Sequence, residues 1–440
     1  METAATKSPL NAGQQAAADG FFQFLLDPAN NELVITGPGG TGKTHLLGHL
    51  IDEILPQYFN TCKLMGVEPG YDSVVVTSTT NKAAEVLSLA CNRPTSTIHS
   101  FLNLKVQEDW QTGQYKLTKT NNWTVHERKI LFVDECSLVD TPLRTIIQEG
   151  THKCKIVYIG DHCQMAPITE PLSPVFRSNL PYFELVQPMR TGLPELQALN
   201  QQLRTTVETG TFQPIQLIPG IIDLLDDAQM EAEVNSHFLN PLNEDRILAY
   251  TNQRAIEFND HVRWLRGLPD EFSVGEHLIN NNAMRMRGYM LSVEEEVEIL
   301  DIKSMVQQQW VDTFQDEDVY LSFREATIKT KLGGVFTGCK LPVDRVHYAD
   351  MLKWLGKRKA WGRLFSLKGE FLDLRQKDSS TVYKAQGSSL NTVFIDATNI
   401  SKCHNPMQAA RMLYVAGSRA RNRVVFHGDL AEKYGGFLLT

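Results

Sequence analysis

The chain has 440 residues, of which 42% are hydrophobic and 21% are charged, and its formal charge is −8. This length exceeds what one hydrophobic core usually supports, so we expect two or three domains. The negative total excludes a protein that coats nucleic acid through its whole surface, although a local basic groove is compatible with it.

The cysteines and the N-terminal segment bear on the compartment. The seven cysteines are scattered and include no C-x-x-C pair, which argues against a disulfide framework or a zinc site and favours a reducing cytoplasm. The segment METAATKSPLNAGQQ has no signal-peptide pattern, and the apolar run FFQFLL is too short to span a bilayer. We therefore expect no association with a membrane.

The segment GPGGTGKT at 37–44 has the pattern of a phosphate-binding loop. It follows the apolar run at 33–35 and precedes a helical apolar pattern, so glycine N–H groups and a helix N-terminus would face a phosphate. Lys43 is expected to reach the β- and γ-phosphates of ATP, and the Thr44 hydroxyl to ligate Mg²⁺. The predicted nucleotide-binding positions of this loop are Gly37, Gly39, Gly40, Thr41, Gly42, Lys43 and Thr44.

Short apolar runs alternate with helical stretches from Leu33 to Glu184, which is typical of an α/β core with parallel strands buried on both faces. The predicted strands are LVIT at 33–36, VVVTS at 74–78, ILFVDE at 130–135 and KIVYIGD at 155–161. Between Ser100 and Lys129, two alternating runs flank a turn-like Gln111-Thr112-Gly113. This insertion therefore predicts a projecting β-hairpin.

A second α/β unit begins after Arg190 and is interrupted by an insertion. Helical segments up to about residue 210 and the strand RILAY at 246–250 open it, whereas the strands TVFID and RVVFHG, with a helix near 405–416, close it. Between them, 272–374 carries short β-like runs with many charges, which predicts a β-rich subdomain. These runs are FSVGEHLI, YMLSV, VEILDI, VYLSF and ATIKT.

Two stretches of the insertion have a biased charge. The acidic stretch at 293–318 would either dock a replication partner or simply be solvated, and we favour solvation. The stretch at 351–371 interleaves basic residues with aromatic ones, so it could grip single strands through phosphate contacts and stacking. The alternative is an amphipathic helix with inward tryptophans, which the helical spacing of Met351, Trp354 and Leu355 favours.

An acid pair, Asp134 and Glu135, ends the strand ILFV. The first carboxylate can hold Mg²⁺ through water, and the second can orient or deprotonate the attacking water. A helix N-cap pair is the alternative. Gln164, after the next strand, could sense the γ-phosphate or be an ordinary loop residue, and Gln14 could read the adenine edge or lie on a helix surface.

Arg190 and Arg419 are candidates for stabilising transition-state charge. A guanidinium is always charged and forks onto phosphate oxygens. Taken singly, each arginine is more often a surface salt-bridge partner. Their order relative to the other motifs favours the catalytic interpretation.

Seven segments, in this order, resemble motifs I, Ia, Ib, II, III, V and VI of the superfamily 1 helicases. They are GPGGTGKT, STTNKAAEVL, STIHSFL, FVDECS, GDHCQMAPI, TVYKAQGSSL and LYVAGSRAR. The similarity is greatest to the RecD-like branch and, within it, to the bacteriophage Dda helicase group. It covers essentially the whole chain, although 280–370 matches only in placement.

The resemblance implies an α/β fold with two RecA-like P-loop motor domains. The first motor domain would carry a strand-separating β-hairpin, or pin, and the second a β-rich, barrel-like accessory subdomain. The implied boundaries are 1–100 and 129–190 for the first motor domain, 101–128 for the pin, 191–271 and 375–440 for the second motor domain, and 272–374 for the accessory subdomain.

The resemblance also implies roles for individual residues. Those on ATP-site positions are Gln14, Lys43, Thr44, Asp134, Glu135, Gln164, Arg190 and Arg419, with Gln386 and Gly387 coupling the ATP state to the DNA track. Those on positions that line the single-strand groove are Thr80, Asn81, His99, Ser100, Thr251, Asn252, Thr381, Tyr383 and Lys384. Tyr383 departs from the histidine usual before K-A-Q-G, which leaves stacking available but puts a direct histidine contact in doubt. Trp110 or Tyr115 would supply the wedge of the pin, unless these aromatic rings are buried.

The implied activity is that of an ATP-dependent DNA helicase that uses Mg²⁺, moves 5′ to 3′ on single-stranded DNA and serves phage-type replication or recombination. The implied partners are single strands and single-strand to duplex junctions, with a single-strand-binding or replication protein as a further candidate. A monomer in the host cytoplasm is expected. A second hypothesis is an ATP-driven remodeller that displaces proteins from DNA with little unwinding, and a third is a non-enzymatic nucleotide-binding scaffold.

Overall fold

The computed structural model describes residues 9–108, 115–167, 170–286, 289–331 and 333–438. The first part of the chain forms a parallel six-stranded sheet with the order β10-β1-β9-β7-β2-β3. The strands of this part, including four outside that sheet, are β1 (Glu32–Thr36), β2 (Ser73–Ser78), β3 (Ser96–Thr97), β4 (Leu104–Glu108), β5 (Tyr115–Lys119), β6 (His126–Glu127), β7 (Lys129–Asp134), β8 (Thr151–His152), β9 (Lys155–Gly160) and β10 (Tyr182–Glu184).

Helices cover both faces of this sheet, because its central strands are apolar on both sides: Leu33, Phe132 and Val157 are buried on one face, and Leu131 and Tyr158 on the other. The helices are α1 (Ala12–Leu26), α2 (Lys43–His49), α3 (Leu55–Leu64), α4 (Asn81–Cys91), α5 (Ile98–Phe101) and α6 (Thr141–Glu149), and a π-helical turn over Leu50–Ile54 joins α2 to α3. The prediction of a parallel α/β core is confirmed, and the predicted strands are present to within one residue at each end.

The insertion between Ser100 and Lys129 contains an antiparallel hairpin. Strands β4 and β5 pair in register, with Leu104 opposite Lys119 and Glu108 opposite Tyr115. Leu104 and Leu117 pack on the core below, which anchors the base of the hairpin. The turn at 111–113 and Trp110 lie outside the described residues, and for Tyr115 the structure describes only the backbone.

The second α/β unit opens after the first sheet. Its first elements are α7 (Pro194–Thr209), β11 (Ile215–Gln216), β12 (Ile222–Leu225), α8 (Asp227–His237), β13 (Arg246–Ala249) and α9 (Asn252–Leu265). Sequence analysis missed β12 and α8. Helix α8 buries only Met230 and Val234, so it lacks the broad apolar stripe that marks most surface helices.

The insertion that follows is mainly antiparallel. Its elements are β14 (His277–Asn280), β15 (Met284–Met286), β16 (Tyr289–Leu291), β17 (Glu296–Ile302), β18 (Gln307–Phe314), β19 (Glu317–Thr330), β20 (Val335–Pro342), α10 (Arg345–Lys357), α11 (Trp361–Glu370) and β21 (Leu374–Arg375). The runs VYLSF and ATIKT, predicted as separate, form the single strand β19. This strand pairs with β17, β18 and β20. The polar Arg324 and Glu325, between the two runs, pair with Leu341 and Lys340 of β20, so the strand continues through them.

The basic and aromatic stretch at 351–371 packs as two helices against the insertion's own sheet. Met351 and Leu355 are buried beside Val311 and Leu321. The Arg358 guanidinium lies 4.4 Å from the centre of the Trp354 ring. The aromatic rings are thus held by protein contacts, as the amphipathic-helix alternative expects.

The chain then returns to complete the second core. The last elements are β22 (Ser379–Thr381), β23 (Leu390–Asp396), α12 (Ala397–Ser401), α13 (Pro406–Gly417), β24 (Ala420–His427) and β25 (Phe437–Leu438). The core sheet is five-stranded and parallel, with the order β12-β24-β23-β13-β22, so its middle comes from the C-terminal part. In the described ranges, no helix is both long and apolar enough to cross a lipid bilayer.

Candidate functional site

A cleft of about 380 Å³ lies between the two cores and collects most of the predicted ATP-site residues. The first core contributes the phosphate loop, the acid pair and Gln164, and the second contributes Gly387 and Arg419. The lining residues are Gly39, Gly40, Gly42, Lys43, Thr44, Ala83, Val86, Leu87, Asp134, Glu135, Gln164, Met189, Arg190, Gly387, Ser389, Arg419 and Arg421. Gly37, Thr41, Gln14 and Gln386 are not part of this lining.

The phosphate loop runs from β1 to α2 and needs its glycines. A Cβ at Gly40, whose φ is +87°, would lie 2.4 Å from the Arg190 Cβ, and one at Gly42, at φ +78°, would lie 2.5 Å from Gln14 Nε2. Lys43 is half-buried, and its ammonium donates to the carbonyls of Gly37 (2.7 Å) and Pro38 (2.9 Å). Burial lowers the pKa of Lys43 against the opposing effect of nearby carboxylates.

The acid pair lies where β7 ends. Asp134 is the last residue of the strand, and Glu135 adopts a left-handed backbone with φ +52°, which is uncommon for a non-glycine residue and typical of functional sites. The Thr79 hydroxyl donates to the Glu135 carbonyl over 3.1 Å. Across the cleft, Gln386 Nε2 donates to Glu135 Oε2 over 3.1 Å, so a side chain of the second core holds the predicted general base.

The carboxyl of Asp134 is set to receive a cation. Burial and the neighbouring Glu135 raise the pKa of Asp134 to about 7, although Lys43 and a hydrogen bond from the backbone oppose them. The Thr44 hydroxyl and this carboxylate line the same cleft, and oxygen donors of this kind are the ligands that Mg²⁺ prefers.

Two arginines approach the phosphate loop from the opposite side. Arg190 Nη1 donates to the Ser418 carbonyl over 2.6 Å, and Arg419 Nη2 to the Ser418 hydroxyl over 2.9 Å. Burial lowers the pKa of Arg190 to about 9, with Arg419 adding to the effect, and burial also lowers the pKa of Arg419. Because these acceptors are neutral, a bound polyanion would compensate the buried positive charge.

The cleft therefore fits a nucleoside triphosphate with its magnesium ion. Oε1 of Gln164 is buried and has no hydrogen-bond partner in the part of the chain that the structure describes. A polar ligand in the cleft would supply that partner. The glycine cradle, the excess of buried cations and the hydroxyl and carboxylate oxygens suit the same ligand. Sequence analysis missed Arg421, which lines the cleft two residues after Arg419.

Gln14 is fully buried, so the alternative of a surface glutamine is wrong. Its Oε1 accepts from the Asn11 N–H over 3.1 Å in a capping box at the start of α1. Its Nε2 donates to the Thr41 carbonyl over 3.2 Å. The side chain thus supports the phosphate loop, and contact with adenine remains a proposal.

Asp161, directly after β9, is a buried residue that sequence analysis missed. It accepts hydrogen bonds from Arg204 Nη1 (2.8 Å), the Tyr414 hydroxyl (2.6 Å) and Gln164 Nε2 (3.4 Å). Burial raises its pKa, but Lys43, Arg204 and Tyr414 outweigh that effect and lower it overall. The sequence signal that could have identified Asp161 is its position, as an acidic residue directly after the apolar strand β9. Because Arg204 and Tyr414 lie on α7 and α13, Asp161 joins the two cores beside Gln164.

Replacing Asp161 with asparagine is expected to reduce the free energy of unfolding by about 3 kcal/mol, because Arg204 loses the only one of its three carboxylate partners that is fully buried, while Glu184 and Glu208 remain. Tyr414→Phe removes a single hydrogen bond and should cost about 1.5 kcal/mol. Urea unfolding at neutral pH measures both. Since the folded-state pKa of Asp161 is lowered, its contribution is present above its unfolded pKa of about 4 and is lost as the pH falls through the folded value. A cost of Asp161→Asn that did not shrink in acid would contradict this account.

The residues predicted to line the single-strand groove follow the carboxyl ends of parallel strands in both sheets. They form two sets: Thr80, Asn81, His99 and Ser100 after β2 and β3, and Thr251, Asn252, Thr381, Tyr383 and Lys384 after or at the ends of β13 and β22. Most are exposed or half-buried, whereas Thr381 is buried. Burial lowers the pKa of His99. Thr80 and Thr251 also cap helices α4 and α9, so both have a structural role as well.

Tyr383, which stands where the family usually has histidine, is 40% exposed. Its hydroxyl accepts from the Gln408 amide. The ring is therefore available for stacking while its hydroxyl is held in place.

Comparison with known proteins gives matches along the chain. Residues 9–215 match the model of an AAA domain, and residues 378–426 match a UvrD-like helicase C-terminal domain. The chain is 22% identical to the ATP-dependent DNA helicase dda of Enterobacteria phage T4, covering 96% of this chain and 100% of that one. It is 21% identical to an uncharacterized protein of Acanthamoeba polyphaga mimivirus, over 94% and 99% of the two chains.

A similar fold is found in the Pif1 helicase from Bacteroides, crystallised with ADP-AlF3 and ssDNA. The TM-score is 0.53 at 15% identity, covering 97% of this chain and 94% of that one. Two RecA-like cores, with a phosphate loop and acid pair on one side and arginines on the other, define a P-loop ATPase of the motor class. The chain is thus similar along its length to the Dda-like helicases of superfamily 1.

Proposed function

We propose that the protein is an ATP-dependent DNA helicase that moves 5′ to 3′ along single-stranded DNA and separates the strands of a duplex. The observation that carries this proposal is the hydrogen bond from Gln386 to Glu135 across the cleft. Gln386 lies three residues after Tyr383 and two after Lys384, in a segment that reaches both the catalytic carboxylate and the groove. A change at the nucleotide can thus be passed to the DNA track through one short segment.

In the proposed mechanism, Lys43 holds the β- and γ-phosphates and Glu135 orients the attacking water, taking its proton. Arg190 and Arg419 stabilise the charge that develops on the transferred phosphoryl group. Thr44 and Asp134 would hold Mg²⁺, which would supply positive charge against the phosphates. Because the arginines come from the far side of the cleft, the site is complete only when the two cores close on it, and reopening after hydrolysis shifts one half of the groove along the strand.

Two partial duplexes, one with a 5′ and one with a 3′ single-stranded tail, test the proposal. With ATP and Mg²⁺ under single-turnover conditions, we expect only the 5′-tailed substrate to open. Opening of only the 3′-tailed substrate would contradict the polarity. If neither opened while single strands still stimulated ATP hydrolysis, the remodelling hypothesis would be the better description.

The β4–β5 hairpin separates these two hypotheses. Replacing 107–116 with a short turn would keep Leu104 and Leu117, which anchor its base, and remove the part that projects. We expect unwinding to fall by about tenfold or more, while ATP hydrolysis stimulated by single-stranded DNA stays within about twofold, because a pin acts on the junction and not on the track. Unwinding at the wild-type rate would rule out a pin.

We also propose that the protein acts as a monomer in the cytoplasm, in phage-type DNA replication or recombination, together with a single-strand-binding or replication protein. The occurrence of its relatives in phage T4 and in a mimivirus supports this setting. Sedimentation of the protein on a single-stranded oligonucleotide would test the monomer, since a stoichiometry of two proteins per short strand would contradict it.

A further inference from the structure

Three consecutive glutamates stand at the start of β17 in the accessory subdomain: Glu294 and Glu295 precede the strand, and Glu296 is its first residue. They lie at the start of the acidic stretch, for which the sequence allowed two interpretations, docking of a partner or simple solvation. Glu294 and Glu295 are buried, with exposed fractions of 7% and 5%. Simple solvation therefore does not describe this end of the stretch.

Glu294 faces the second motor domain. Its carboxylate pairs with Arg375 and lies 3.4 Å from the Lys384 ammonium. Lys384 also donates to Asn281 Oδ1, in the accessory subdomain, over 2.6 Å. Burial and Arg375 lower the pKa of Lys384, and Glu294 opposes them. The predicted DNA contact of the second domain is thus held by two side chains of the insertion.

Glu296 faces the first motor domain. Its carboxylate lies 3.9 Å from the Lys82 ammonium and 3.6 Å from that of Lys331. Lys82 follows Asn81, a predicted groove residue, on α4, where its ammonium also pairs with Glu85 over 3.2 Å. The glutamate run therefore reaches one lysine in each motor domain.

The middle glutamate of the run, Glu295, lines a cleft at the predicted groove. A cleft of about 370 Å³ separates α4 from the accessory subdomain, and its lining includes Asn81, Lys82 and Ser100 on one side and Glu295 on the other. Glu295 accepts from the Ser292 N–H over 2.8 Å and from the Tyr289 hydroxyl, which fixes this wall. A strand of nucleic acid in the groove would bring its phosphates beside these carboxylates.

We propose that Glu294 and Glu296 compete with the DNA backbone for Lys384 and Lys82, so that a single strand enters the groove by displacing them. This inference rests on the proposed function, because it takes the groove to be the DNA track. Carboxylate and phosphate are alternative anionic partners for a lysine ammonium. A lysine that has an anionic partner both with and without DNA loses less free energy when it releases a phosphate. This property suits a protein that must bind and release the strand in every cycle.

The competition has a thermodynamic signature in the salt dependence of binding. Each lysine that neutralises a phosphate of a single strand contributes about 0.7 to the slope of log K against log salt. When the lysine leaves a carboxylate to do so, that carboxylate takes up a cation, and the two ion movements largely cancel. Removing the carboxylate should therefore both tighten binding and steepen the slope.

The test measures binding of a fluorescent single-stranded oligonucleotide to the full chain at several salt concentrations, for wild type, Glu296→Gln and Glu294→Gln. We expect each variant to bind more tightly at low salt and with a steeper slope. Because Glu85 also pairs with Lys82, Glu296→Gln should give its full effect, about three- to tenfold in affinity and about 0.7 in slope, in a Glu85→Gln background. Glu294→Gln leaves the buried Arg375 without its carboxylate and could fail to fold. Glu296→Gln changes a half-buried position, so it decides the question alone if Glu294→Gln does not fold.

Two controls make the result specific. Glu370→Gln removes a carboxylate that pairs with Lys340 in the same subdomain, outside the cleft lining, and should leave affinity and slope unchanged. In a Lys82→Ala background, Glu296→Gln should lose its effect, because the competition acts through that lysine.

Unchanged or weaker binding by folded Glu296→Gln would overturn the inference, as would tighter binding with no change in slope. An equal gain from Glu370→Gln would show a general charge effect and would also overturn it. If wild type did not bind single-stranded DNA at all, the proposed function would fail first, and that result is distinct from a failure of the variants alone.

Discussion

Replacing Lys43 with alanine is expected to abolish ATP hydrolysis and, with it, DNA unwinding. The ammonium lies at the phosphate loop, where two loop carbonyls accept its hydrogen bonds, and no other lysine lines the cleft in the described part of the chain. Loss of this charge should lower kcat by on the order of 10³-fold or more. A phosphate-release assay with saturating single-stranded DNA measures it.

Lys63→Ala is the matched control, because Lys63 is an exposed lysine in the last turn of α3. It should leave hydrolysis and unwinding unchanged. The melting temperature of Lys43→Ala checks that the variant folds, since it loses both the hydrogen bonds to two carbonyls and the charge that faces Asp134, Glu135 and Asp161. Persistent unwinding by folded Lys43→Ala would contradict the assignment of the ATP site.

Replacing Glu135 with glutamine is expected to lower kcat by about 10²- to 10⁴-fold while leaving ATP affinity within a few-fold of wild type. Glutamine keeps the shape and an acceptor oxygen for the Gln386 amide, but it cannot take a proton from water. Single-turnover hydrolysis gives the chemical step, and calorimetry with a slowly hydrolysed ATP analogue gives the affinity.

The comparison that isolates this effect is Gln386→Ala, which removes the cross-cleft hydrogen bond and leaves the carboxylate in place. It should lower the stimulation by DNA more than the rate without DNA. If Glu135→Gln kept a kcat within tenfold of wild type, another group would be the base, and the role assigned to Glu135 would be wrong.

The first core could be predicted from the sequence because its signals are local. A buried parallel strand reads as a continuous apolar run, and β1, β7 and β9 each do so. The phosphate loop and the acid pair come directly after such runs, so their positions at the ATP site could be predicted as well. The structure brings both to one cleft together with Arg190 and Arg419.

The features that sequence analysis missed depend on distant contacts. Asp161 is defined by Arg204 and Tyr414, which lie 43 and 253 residues away along the chain. Helix α8 has a capping box at Asp226 and Gln229, a local signal that could have been used, but its apolar face is too small to mark a helix. The pairing of Glu294 with Lys384 joins subdomains, and no spacing rule predicts it.

The order of the strands in the second sheet has a consequence for how the chain folds. Strands β12 and β13 are synthesised early, yet they never pair with each other, because β24 and β23 lie between them. The sheet therefore cannot form until the ribosome has passed His427, where β24 ends. Until then the apolar edges of both early strands stay uncovered, and such surfaces favour aggregation. Because Arg419 immediately precedes β24 and lines the cleft, a nascent chain has no complete nucleotide site until this late segment has been made.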